Sequence, residues 1–176
     1  MAWAVFLRAV NVGRANRCRP ALLAQELADF GLLNIGAVGT WVVREDVSEP
    51  VLRRAIAERL PFKCEIMVCS SREILQLAER NPFTAQSASA NMTRFVNVLH
   101  QPPRISFSLP LLMPTKPKWL LKVIAIEGRF VLGVYRREMK AIACLGKLEK
   151  QLGAPSTTRN WNTIEKVVNV LRDISG

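Results

Sequence analysis

Between residues 3 and 69 the chain alternates short apolar runs with longer amphipathic ones in the order β-α-β-β-α-β, and nothing else in it limits the fold so strongly. Residues 3–10 form a nearly unbroken apolar run, as a strand covered on both faces requires. A polar, basic loop follows at 11–17. Pro20 suits the first turn of a helix with Leu22, Leu23, Leu27 and Phe30 turned inward, and Gly31 ends that helix at the C′ position. Residues 34–38 and 40–44 read as two extended pieces hinged at Gly39. Ser48 caps a second helix carrying Leu52, Ala55, Ile56 and Leu60 on one side, Pro61 breaks it, and residues 65–69 are a strand. Two split βαβ units in this order close most simply into an antiparallel sheet with both helices on one face, a ferredoxin-like plait.

The second half repeats this order imperfectly. Ser70 or Ser71 caps a helix bearing Ile74, Leu75 and Ala78, which Asn81-Pro82 stops. Residues 84–90 are small and polar and make the best linker, so the expected domains are 1–83 and 84–176. Residues 94–99 read as a strand. Prolines 102, 103, 110, 114 and 117 argue against any helix through that stretch. The clearest hairpin of the chain spans residues 118–135 and turns at Glu127-Gly128. A helix from about 141 to 152 stops at Gly153, and a terminal helix is expected over 163–174. The fold class is therefore α+β: two ferredoxin-like halves, the second degenerate, plus a C-terminal helix.

Charge is unevenly spread. The chain of 176 residues carries a net charge of +11, with 11 Lys and Arg against 9 Asp and Glu in residues 1–80, and 14 against 5 in residues 81–176. So basic a half is expected to attract polyanions at low salt through counterion release, the alternative being a basic face that serves only solubility. The four cysteines form neither a CxxC pair nor a zinc-ligand pattern, and reduced thiols in a cytoplasmic protein are the simplest account. No apolar stretch is long enough to span a bilayer and the N-terminal run reads as a strand rather than a signal peptide, so no membrane association is expected. A monomer without cofactor or metal is expected.

One window, residues 157–163, packs hydrogen-bonding side chains, a guanidinium and an indole into Thr157-Thr158-Arg159-Asn160-Trp161-Asn162-Thr163. It opens a helix in which Ile164, Val167, Val168 and Leu171 recur at helical spacing, with Asn162 and Glu165 in capping-box positions. A helix start next to an arginine is a seat for an anion. The alternative is a capped helix whose Trp161 plugs the core.

Arg8-Ala9-Val10-Asn11-Val12-Gly13 before a helix, Asn81-Pro82-Phe83, and above all residues 157–163 preceded by Leu152-Gly153 resemble a bacterial family catalogued as domain of unknown function family 1697. The resemblance runs over essentially the whole chain and implies a cytoplasmic protein of two plait-like halves, with no activity attached. Three departures stand out. The family's usual Arg-Gly-Ile-Asn is Arg8-Ala9-Val10-Asn11 here, its Gln-Ser-Gly-Asn hairpin is Ala37-Val38-Gly39-Thr40, and the helix after the second half's first strand is replaced by the proline-rich segment. A site built on the hairpin is then altered or absent.

The expected site gathers Arg8, Asn11 and Gly13 with Thr158, Arg159, Asn160 and Asn162 between the two halves, where guanidiniums and amides would hold a phosphate-bearing ligand, a nucleotide or nucleic acid. The plain alternative is an Arg–Asn network tying the halves together. A second class is single-stranded RNA binding by the first sheet, with Phe6 and Trp41 as stacking aromatics, against which core packing must be weighed. As for catalysis, His100 is the sole histidine, Cys18 between Arg17 and Arg19 is the best thiolate candidate, and no catalytic constellation is recognisable. Whether the chain is an enzyme stays open.

Overall fold

In the computed structural model, which describes residues 1–11, 14, 16–85, 89–115 and 118–176, β1 (Trp3–Leu7) is the central strand of the first sheet. It pairs antiparallel with β3 (Thr40–Val43) on one side and β4 (Ile66–Ser70) on the other, and β2 (Leu32–Asn34) pairs with β3. The order β2-β3-β1-β4, with α1 (Pro20–Glu26) and α2 (Glu49–Arg59) in the connections, is the ferredoxin-like plait expected from the sequence. Strand alternation sends Val5, Leu7, Trp41, Val43, Ile66 and Val68 into one core with Leu23, Leu27, Leu52 and Ile56. Ala4, Phe6, Val42, Met67 and Cys69, on the opposite face, are buried as well.

Several details differ from the sequence reading. Leu22 is 48% exposed, because a helix of seven residues turns only Pro20, Leu23 and Ala24 inward. The expected extended piece at 34–38 is instead the end of β2 and its turn, where Gly36 and Gly39 have positive φ. At Gly39 (φ 80) an added Cβ would also lie 2.8 Å from the Leu7 Cβ, so both conformation and space require glycine. Ser48 holds the N-cap position of α2, but its side chain makes no capping hydrogen bond. At α3 (Ser71–Arg80) the cap is Ser70: the Glu73 carboxylate accepts from the Ser70 backbone N–H at 2.8 Å, and the Ser70 Oγ accepts from the Glu73 N–H at 3.3 Å.

The second sheet has five antiparallel strands in the order β6-β7-β8-β5-β9: β5 (Met92–Leu99), β6 (Leu111–Met113), β7 (Leu121–Glu127), β8 (Phe130–Arg136) and β9 (Ser156–Asn160). With β6 set aside, β7-β8-β5-β9 repeats the order of the first plait. The proline-rich stretch stands where a first helix belongs, and β6 within it lengthens the sheet by one strand, which the sequence did not announce. Phe95, Leu99, Leu121, Val123 and Val131 pack against Cys144, Leu148 and Leu152 of α4 (Met139–Leu152), which ends on left-handed Gly153. Gly133 of β8 faces Phe95, and a Cβ there would fall 2.1 Å from the Lys122 carbonyl oxygen and 2.9 Å from the Phe95 ring.

The larger correction concerns residues 157–160. They form β9 rather than the entry to a helix, and they supply the fourth strand of the second plait. The terminal helix α5 (Trp161–Ser175) begins at the next residue, with Ile164, Val167, Val168 and Leu171 buried as the periodicity required. By internal contacts the chain forms two units, Met1–Glu79 with Asn162–Gly176, and Arg80–Trp161. Most of α5 thus groups with the first 79 residues, whereas the sequence places the boundary at residue 83 and the helix in the second half. No helix among the described residues is long and apolar enough to cross a membrane.

Candidate functional site

Arg8 leaves the end of β1 half-buried, with its backbone N–H donating to the Glu65 carbonyl at 3.0 Å. Asn11 turns the chain in a left-handed conformation (φ 56), which asparagine tolerates. Its side-chain amide donates to the carbonyls of Cys18 (3.0 Å) and Ala37 (2.8 Å), while its Oδ1 accepts from the Cys18 N–H at 3.0 Å. Both amide hydrogens are thereby engaged in closing the loop and tying it to the β2–β3 turn. Gly13, the third candidate here, lies outside the described residues. Ala9 also has φ 56.

On β9 the alternation of a strand separates the other candidates. Thr158 and Asn160 are exposed on one side, while Thr157 and Arg159 are buried on the other. Thr158 lies opposite Asn97 of β5 and its hydroxyl donates to the Asn97 Oδ1 at 2.6 Å. Arg159 is 6% exposed, and its Nη1 donates to the Thr157 Oγ1 at 2.7 Å and the Thr158 carbonyl at 2.9 Å. Burial away from water lowers its pKa to about 10, so the guanidinium stays charged at neutral pH at a desolvation cost of roughly 3 kcal/mol. Because α5 begins at Trp161, the residue before the first helical position is Asn160, and Asn162 sits inside the first turn.

Other sequence candidates resolve plainly. Phe6 and Trp41 are fully buried, and the Trp41 indole donates to the Pro20 carbonyl and the Asn34 Oδ1, so the first sheet presents no aromatic stacking platform. Burial raises the Cys18 thiol pKa, opposite in sign to the depression that its arginine neighbours suggested. His100 lies just past β5 on the wall of a groove of about 450 Å³, lined also by Pro102, Arg104, Ile105, Gly153 and Pro155. Among the described residues no cluster of three His, Cys, Asp or Glu side chains could hold a metal.

A basic and aromatic cluster on β7 and β8 escaped the sequence reading. The Arg136 N–H donates to the Leu120 carbonyl at 2.8 Å, which draws residues 118–120 alongside the end of β8. Arg136 then donates from Nε to the Trp119 carbonyl at 2.8 Å, and its Cζ lies 4.5 Å from the Trp119 ring centroid. The Lys122 Nζ lies 5.1 Å from the same centroid. Lys122, Val134 and Arg94 are paired in register across β7, β8 and β5, so their side chains share one face. The second unit contains three carboxylates, and each has a partner other than Lys122 or Arg136: Glu127 with Arg80 at 2.5 Å, Glu138 with Lys118 beside the cluster at 3.2 Å, and Glu149 with the Ser156 hydroxyl at 3.4 Å. The signal was present as Lys118-Trp119 with Lys122, lysines flanking a tryptophan beside a proline-rich run.

Comparison with known proteins agrees with the fold. The whole chain is similar to the structure of a conserved bacterial protein, SP0830, from Streptococcus pneumoniae, at 18% identity and a TM-score of 0.61, over 97% of this chain and 98% of that one. No curated protein matches. The sequence pattern of a family described as protein of unknown function DUF1697 matches residues 1–109, a stretch that holds the first plait, the Asn81-Pro82-Phe83 turn and β5. The chain belongs to that family.

Proposed function

We propose that this protein binds phosphate-bearing ligands, nucleic acid among them, through its second unit. The observation that carries the reading is the charge of residues 80–161: 13 Lys and Arg against three Glu, each glutamate already engaged as described. The first unit, with 12 cations and 11 anions, is nearly neutral. A domain with so large an excess concentrates counterions, and a polyanion that displaces them gains affinity whatever its sequence. The four free cysteines fit a cytoplasmic setting. Asn11 and Arg159 serve in this reading as supports of the loop and of β9. The test is a titration with labelled single-stranded RNA, duplex DNA and heparin over a salt series. Affinity is expected to fall linearly in log–log form as salt rises, and no binding to any of the three at low salt overturns the proposal.

A further inference from the structure

We infer that the Lys122–Trp119–Arg136 cluster is the place where a single-stranded polynucleotide is held, a proposal that rests on the reading above and assigns it a site. Two cations converge on one indole, and neither makes an ion pair among the described residues. Each is attracted to the ring, yet they repel one another, and the counter-charge that would settle both is an anion brought from outside. Arg136 is held in place by its bond to the Trp119 carbonyl, so part of the ordering cost of a phosphate contact is met before the ligand arrives.

The chemistry favours a single strand over a duplex. A duplex presents phosphates to surface cations but hides the faces of its bases, so an aromatic among the cations gains nothing from it. A single strand offers both, and its proteins combine a basic track with aromatic or guanidinium faces on which bases stack. The track is present, and its members already hold protein partners: the exposed Lys118 pairs with Glu138, Arg137 donates to the Thr93 hydroxyl, and Arg94, on the same sheet face across Val134, lies over the Phe83 ring. One phosphate would satisfy Lys122 and Arg136, while further phosphates of a chain would reach the exposed Lys118 and Arg137 beside them.

The experiment follows the anisotropy of labelled oligothymidylate with the full chain, against salt, for wild type and for Lys122→Gln, Arg136→Gln and Trp119→Leu. Lys147→Gln, on the exposed side of α4, is the control. Lys122→Gln and Arg136→Gln should each weaken binding about 5-fold and flatten the log–log salt slope by about 0.7, the share of one phosphate on a single strand. Trp119→Leu should weaken it about 10-fold with little change of slope, as lost stacking does. Among the described residues Lys122 makes no ion pair, so its variant tests the site even where Trp119→Leu perturbs the fold. Wild type that binds neither oligothymidylate nor any polyanion overturns the parent reading along with this one. Wild type that binds, with Lys147→Gln as damaging as Lys122→Gln or with duplex preferred to single strand, overturns this assignment alone.

Discussion

Both plaits end on an edge strand that pairs with their first strand and then runs into a helix with no loop between: β4 into α3 at Ser71, and β9 into α5 at Trp161. The two strands share almost nothing chemically. In β4 the buried residues are Ile66, Met67, Val68 and Cys69, whereas in β9 they are Ser156, Thr157 and Arg159. Strand order and the backbone ladder define this position, and either chemistry can occupy it. The apolar version is stabilised by removing side chains from water. The polar version depends on cross-strand and along-strand hydrogen bonds, Thr158 to Asn97 and Arg159 to Thr157, and carries the cost of an interior charge.

The central pairs differ in the same spirit. In the first plait the bulk sits on β3, where Trp41 opposes Val5; in the second it sits on the first strand, where Phe95 opposes Gly133. Gly133→Ala is therefore the most damaging of the small changes considered. A new Cβ 2.1 Å from a ladder carbonyl has to push β7 and β8 apart, and a loss of about 4 kcal/mol is expected in urea denaturation. A loss below about 1 kcal/mol would show that volume is not exchanged across this pair as described.

The polar edge strand is tested next. Arg159→Met keeps the aliphatic stem but removes the donor to Thr157 and Thr158 along with the buried charge, so it should cost about 1 kcal/mol; Arg159→Ala, which also opens a void, should fall about 2–3 kcal/mol below the methionine variant. If methionine costs as much as alanine, the guanidinium is indispensable to β9 and the two edge strands are not alternative solutions. A comparably small effect belongs to Ala9 in the first unit. Its φ of 56 strains an alanine, and Ala9→Gly should raise stability by about 1 kcal/mol by thermal denaturation. No gain would mean that the loop tolerates a side chain there as readily as an ordinary turn.

This contrast also explains what could be read from the sequence. The first plait was legible because its strands announce themselves by burial: Trp3 to Leu7, Thr40 to Val43 and Ile66 to Cys69 are apolar enough to stand out. β9 hid because its side chains are those of loops and caps, and a strand held by its ladder leaves no hydrophobic period to find. β6, three residues among prolines, was too short for any pattern. Of the candidate site residues, Asn11 closes its loop and ties it to the β2–β3 turn, and Arg159 bonds along β9. In the Lys122–Trp119–Arg136 cluster, Trp119 and Lys122 are near neighbours in sequence, and only the pairing of β7 with β8 brings Arg136 to them.

The first unit is assembled from two separated pieces of chain, and this affects how it can be made. During synthesis its sheet and three helices emerge early, but α5 arrives only after all of residues 80–161 have been translated. The opening unit, its plait already present, must therefore wait for its last helix through the manufacture of an entire neighbour. Cutting the gene after residue 79 would deliver a fragment missing one of its own helices.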